Sequence, residues 1–189
     1  MRQRVLGTVL FWLALATVTG GVFAACGGAG NTRDARPTTT RPPEDLDLQA
    51  TGFTSLATMT KVNGHFIANQ LGHLDRALQV ARSRKGGRYP VGTVIQLVPQ
   101  EAMVKRRAGF DPATKDWEFF FLDIAPQGTK IVTRGTTAVV NRFGGNCASC
   151  HAAAAPQWDM VCEHTHECAP LPIGDDVIAA IQQADPRPH

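Results

Sequence analysis

The sequence predicts an α+β domain, a predominantly antiparallel β-sheet with flanking helices. Short runs rich in β-branched and aromatic residues recur at 93–98, 117–122 and 130–133, with turn residues between neighbours, as antiparallel strands require. Helical spacing of apolar residues is confined to a few short stretches, which places helices beside the sheet rather than between every pair of strands. The chain has no internal repeat and no glycine-rich phosphate loop.

The elements follow in order. Phe53, Leu56 and Met59 are loosely helical in spacing and predict a short helix over 53–62. Gly64 interrupts, and 65–71 reads as a strand. Leu71, Leu74, Leu78 and Ala81 predict an amphipathic helix covering one sheet face, with Arg82, Arg84 and Lys85 near its end and Gly86-Gly87 as its stop. Tyr89-Pro90-Val91-Gly92 opens the strand at 93–98. Pro99 breaks that strand and suggests an edge or a bulge, and 102–107 continues in an extended way. Asp111-Pro112-Ala113 is a turn. Residues 117–122 are apolar on nearly both faces, so this strand is expected at the centre of the sheet. A turn at 126–128 leads to a strand at 130–133. Ala152 to Ala155 suit a helix that Pro156 ends, and 174–184 predicts a terminal helix with Val177, Ile178 and Ile181 inward.

Between these last elements lies Asn146-Cys147-Ala148-Ser149-Cys150-His151, a single Cys-x-x-Cys-His. That spacing is the attachment signature of c-type haem. Two thiols three positions apart can add to the two vinyl groups of one porphyrin, and the following imidazole then stands under the iron as proximal ligand. The motif therefore predicts one haem c per chain, held by Cys147 and Cys150 and ligated by His151. A redox Cys-x-x-Cys, or half of a zinc site followed by an unrelated histidine, is the plainer alternative. Asn146 is placed to cap a helix starting at Cys147, and Gly144-Gly145 let the backbone approach a flat ligand.

The N-terminus fits the compartment in which such haems are attached. Arg2 and Arg4 precede an apolar run over 5–18 and small residues close it, predicting a signal peptide over 1–25. Val22-Phe23-Ala24 reads as an ordinary cleavage site, giving a soluble periplasmic or secreted protein. Ala24-Ala25-Cys26 reads as a bacterial lipobox, making Cys26 a lipid anchor on the periplasmic side of a membrane; bulky Phe23 weakens this match. The Gly/Thr/Pro-rich stretch after Cys26 favours the anchored form, because 26–45 then serves as a flexible tether to a domain at 46–189.

The chain has five cysteines, so Cys26, Cys147 and Cys150 leave Cys162 and Cys168. Their short interval and the oxidising compartment favour a disulfide. The sequence between them, Glu163-His164-Thr165-His166-Glu167, keeps a Cys/His metal loop open as an alternative, as are free thiols. With the disulfide, His164 and His166 are expected to be exposed. The formal charge of +3 shrinks once the leader is removed: Arg2 and Arg4 go with no acid, leaving 17 basic against 16 acidic side chains. That balance gives no electrostatic case for nucleic acid.

In order, Tyr89-Pro90-Val91-Gly92-Thr93-Val94, Met103-Val104-Lys105-Arg106, Asp116-Trp117-Glu118-Phe119, the Cys147–His151 motif and Asp159-Met160-Val161 resemble the cytochrome P-460 family, including its cytochrome c′-beta branch. The resemblance spans from about Gly52 to the end of the motif region. It implies an antiparallel β fold with flanking helices, a homodimer, and one haem c with thioether links at Cys147 and Cys150 and proximal ligation by His151. Members that oxidise hydroxylamine carry a lysine–haem crosslink, and the matching position here is Leu97. Lys105, the nearest lysine downstream, is too displaced to inherit the role. This departure favours electron transfer or NO/CO binding, with a small redox partner or a diatomic gas as partner. Oxidation of hydroxylamine or a related small nitrogen compound is the alternative.

The sixth coordination position decides between those functions. Met103, Met160, His65, His73, His164 and His166 are chemically able to fill it, although the methionines are expected to pack and the histidines to face solvent. An open apolar face, with Phe119, Phe120 or Phe121 as its wall, is the expected outcome; alternation along a strand leaves at least two of the three in the sheet core. Lys105, Arg106 and Arg107 are candidates to reach the haem propionates. Asp159 and Glu163 receive no catalytic role.

Overall fold

The computed structural model describes residues 45–189. The expected leader, Cys26 and residues 26–44 of the tether lie outside them. The chain at 45–189 is an α+β fold. Six strands lie in sequence order across one sheet, each antiparallel to its neighbour. They are β1 (Thr60–Val62), β2 (His65–Asn69), β3 (Thr93–Gln96), β4 (Glu101–Lys105), β5 (Trp117–Ala125) and β6 (Gly128–Gly135). Three helices accompany them: α1 (Leu74–Ala81), α2 (Cys147–His151) and α3 (Asp175–Gln183).

Side chains alternate across a strand, so β2, β3, β4 and β5 each feed two separate cores. Ile67, Ile95, Met103, Trp117 and Phe119 point to one layer, where they meet Ala77, Leu78 and Ala81 of α1 and also Cys147, Met160 and Val161. Val94, Ala102, Val104, Phe120 and Leu122 point to the other, under Leu48 and Phe53. Burying the Leu78 side chain alone contributes roughly 2 kcal/mol, enough to dock a two-turn helix whose isolated form is unstable. The layer beneath α1 is the one that receives the Cys-x-x-Cys-His segment.

Several local expectations are corrected. Residues 53–62 form a 3₁₀ turn at Leu56–Thr58 followed by β1, not a helix. Ser55 caps that turn, its hydroxyl accepting the Ala57 N–H and its carbonyl taking the Thr58 hydroxyl, and the chain turns extended at Met59, whose N–H closes on the Leu56 carbonyl. α1 ends at Ala81, ahead of Gly86-Gly87. Gly86 instead lets the chain pass close to the segment after α2: a Cβ there would lie 2.1 Å from the Gln157 carbonyl oxygen. Pro99 sits in the turn between β3 and β4, neither edge nor bulge, where its missing N–H costs nothing and its carbonyl accepts from Gln96 Nε2 at 3.0 Å. β5 is next to last in the sheet rather than central; it is buried because both cores close over residues 117–120. Ala152 to Ala155 lie outside α2, and Pro156 opens a 3₁₀ turn instead of ending a helix. In α3, Ile178 is buried, Ile181 is half-buried and Val177 faces solvent.

Candidate functional site

The segment leading into α2 is built by asparagines. Asn141 Oδ1 accepts the N–H groups of Phe143 and Gly145, closing a tight loop in which Gly144 takes a left-handed φ of 83°. Val140 bridges to Asn146, and the Cys147 N–H reaches the Val139 carbonyl at 3.0 Å. Asn146 caps α2 as the sequence predicts, its Oδ1 accepting the Ser149 N–H at 2.9 Å while its amide donates to the Thr137 carbonyl at 2.7 Å. The loop leaves Val140 and Phe143 exposed beside the start of α2.

Cys147 and Cys150 stand one turn apart on α2, so both thiols lie on one side of it. Neither is in a disulfide; Cys147 is buried and Cys150 exposed. Burial first, then the Glu101 carboxylate and Cys150, push the Cys147 thiol up to about 11. Next to them, His151 Nδ1 lies 2.7 Å from the Met160 carbonyl oxygen. A carbonyl only accepts, so Nδ1 carries the proton and Nε2 keeps its lone pair. Burial holds this imidazole below its ordinary pKa, against the pull of the Met160 carbonyl, and so keeps it neutral. A neutral imidazole whose other nitrogen donates to a backbone carbonyl is the usual form of a metal-ligating histidine. This donor set would suit a haem, which Cys147 and Cys150 would hold through thioethers and His151 Nε2 would ligate.

The Met160 carbonyl is itself fixed by a buried polar cluster. Asp159 and Met160 are consecutive left-handed residues, with φ of 51° and 66°. The Lys105 ammonium, 1% exposed, donates to both Asp159 carboxylate oxygens at 2.8 and 2.7 Å and to the Lys115 carbonyl at 2.7 Å. Those three acceptors use all three of its protons. The Tyr89 N–H reaches the same carboxylate at 2.9 Å, and Trp117 Nε1–H donates to the Asp159 carbonyl at 2.6 Å. Burial pulls the Lys105 pKa below the ordinary lysine value, while Asp159 pulls the other way.

Lys105 is therefore committed inside the protein and is not a propionate partner. Arg106 is in the opposite layer, bonded to Glu118, to Asp45 at 2.9 Å and to the Leu46 carbonyl, and Arg107 pairs at 3.5 Å with Asp45. Three segments far apart in sequence, around Tyr89, Lys105 and Trp117, thus converge on Asp159. Nothing in the sequence links Asp159 to Lys105, 54 positions away.

The other candidates separate clearly. Met103 and Met160 are buried in the core beneath α1. Phe119 packs against the His151 ring with centroids 5.2 Å apart, whereas Phe120 meets Phe53 in the other layer at 4.8 Å. His65 points into the His151 layer; burial first, then the nearby charges of His151 and His166, push its pKa down to about 4. Its Nδ1 is buried with no hydrogen bond, 3.9 Å from a Glu163 oxygen. The His73 N–H donates to Asn69 Oδ1 ahead of α1.

Cys162 and Cys168 form a disulfide, with Cα atoms 5.7 Å apart. Among the described residues no group of three or more His, Cys, Asp or Glu side chains is arranged to hold a metal ion. His164 is exposed as expected, but His166 is not: it is buried and stacks on Trp158, with centroids 3.8 Å apart and planes 7° from parallel. A cavity of about 610 Å³ lined by Lys85, Arg88, Lys115, Asp116, Gln157 and Asp159 touches neither cysteine of α2 nor His151. Among the described residues no helix is long and apolar enough to cross a membrane. No protein-family model, curated protein or solved structure matches the chain.

Proposed function

We propose that this chain is an exported c-type cytochrome that carries one haem on Cys147, Cys150 and His151 and acts in electron transfer or in binding NO or CO. The observation that carries the reading is the His151 imidazole. It follows two free thiols on one short helix and donates Nδ1–H to Met160, which leaves Nε2 as the ligating atom. The exposed Val140 and Phe143 beside α2 supply apolar surface of the kind a porphyrin covers. When bound, the haem supplies an iron that exchanges single electrons or takes a diatomic gas at its sixth position.

The protein's own contribution is to hold the ligand in one tautomer, bury it, and shield it with Phe119. Six antiparallel strands with flanking helices are of the α+β class that the resemblance implies. Leu97 stands where hydroxylamine-oxidising members need lysine, and the Lys105 ammonium has no proton to spare for another partner. Both facts argue against the crosslinked enzyme. The leader favours the periplasmic side of a bacterial membrane, with the domain tethered at Cys26.

Visible spectroscopy of the chain matured in a host that attaches c-type haem tests the reading. The expected result is an ordinary c-type Soret band, a spectral change with CO or NO, and no hydroxylamine turnover. A strongly red-shifted Soret with turnover would move the protein to the enzyme class, and a chain without haem would overturn both readings.

A further inference from the structure

We propose that the buried Lys105–Asp159 ion pair is a positioning device for His151, holding the 159–160 turn so that the Met160 carbonyl takes Nδ1–H and leaves Nε2 for the iron. The proposal rests on the haem reading above and assigns residues that reading does not use. Two successive non-glycine residues in the left-handed region are costly and persist only where surrounding bonds over-determine them. Here the bonds are visible. Both Asp159 oxygens bind Lys105, one also takes the Tyr89 N–H, and the Asp159 carbonyl takes the Trp117 indole N–H.

A second left-handed pair, Lys115 and Asp116 with φ of 49° and 67°, faces the same ammonium through the Lys115 carbonyl. Lys105 thus clamps two strained turns to the sheet at one point. A buried ammonium is a poor choice if packing were the only need, since apolar groups of that volume are as stable or more so. What the ion pair adds is direction: it fixes the peptide that follows Asp159, and the carbonyl of that next residue is the one His151 uses. A carbonyl held in place raises the electron-donating power of the imidazole and prevents the ring from flipping to the wrong tautomer.

The test uses nitrogen-15 NMR of His151 in the full chain before haem loading. The iron–histidine stretch of the reduced, loaded chain is the second readout. Wild type is expected to show the Nδ1–H tautomer in large excess over a minor Nε2–H share. Asp159→Asn removes the ion pair at constant shape, and Trp117→Phe removes the indole donor while keeping an aromatic ring. Each is expected to raise the Nε2–H share about tenfold, the change that one lost hydrogen bond of ~1.4 kcal/mol produces. In the loaded chain each lowers the stretching frequency, because the imidazole becomes a weaker donor to iron.

Glu118→Gln, in the other layer, is expected to change neither readout. If Asp159→Asn does not fold, Trp117→Phe carries the test. Tautomer and stretch unchanged in a folded variant overturn the proposal while haem attachment stands. A tautomer shift in a chain that never takes up haem overturns the functional reading and retains the positioning role.

Discussion

Lys105 and Arg106 are neighbours in sequence, both buried and both paired with carboxylates, yet they end in opposite layers of the molecule. Strand alternation sends Lys105 under α1, where it meets Asp159 and the turn that presents the Met160 carbonyl to His151. Arg106 goes to the other face, where Glu118 and Asp45 hold it and its third bond pins the Leu46 carbonyl. Glu118 also binds Arg134 from β6 at 2.6 Å. The same pair of charges therefore serves two ends. One lies at the turn whose Met160 carbonyl meets the His151 imidazole, and the other ties the segment before the first strand to the sheet. What separates them is what the partner carboxylate is attached to.

The largest expected effect comes from breaking the first pair. Asp159→Ala leaves the Lys105 ammonium buried with one carbonyl and frees two strained residues, for a loss of about 3–5 kcal/mol by urea denaturation. Glu118→Ala in the other layer is expected to cost less, about 1–3 kcal/mol, because Asp45 remains for Arg106 and Arg134 is part-exposed. Equal losses would contradict the distinction between the two layers.

Next is the disulfide. It closes only the short loop 162–168, so Cys162→Ser with Cys168→Ser is expected to cost about 2 kcal/mol by the loop-entropy relation. That loop carries Glu163 and His166 next to His65. The loss is expected to loosen the His166–Trp158 stack, read as a change in tryptophan fluorescence, and to spare the Arg106 side.

The smallest effect belongs to acid. Burial raises the Asp185 pKa, but bonds from Arg187 and the Leu56 N–H outweigh it, so the carboxyl stays below its ordinary value. Because the folded state binds this proton less tightly than the unfolded state, the contribution is present above ~pH 4, the ordinary aspartate range. It is lost as pH falls through the lower folded value. Asp45 follows the same sign: burial raises it, and Arg106 with the Leu46 N–H lowers it further than burial lifts it. Asp185→Asn is expected to flatten the acid limb of a melting-temperature profile, and a profile steeper than wild type would contradict the assignment.

The legible parts of this molecule are those written locally. Residues 93–98 and 117–122 announced strands through β-branched and aromatic side chains, and Asn146 announced the cap of α2 through its position one residue before Cys147. The Cys162–Cys168 pair was legible because few residues separate the two thiols. The Lys105–Asp159 pair was not, since 54 positions separate its members and no periodicity connects a strand to a turn beyond the next helix. Val177 faces solvent because α3 turns only part of its apolar stripe inward, a choice made by what it packs against. The burial of His166 depended on Trp158 being folded over it, which the intervening sequence does not reveal.

The most direct measurement is the intact mass of the acid-denatured chain after maturation with c-type haem machinery. The wild-type chain is expected to keep the mass of one haem through denaturation, and Cys147→Ser with Cys150→Ser to lose it. A wild-type chain that carries no covalent haem, or a double variant that still does, would contradict the haem reading.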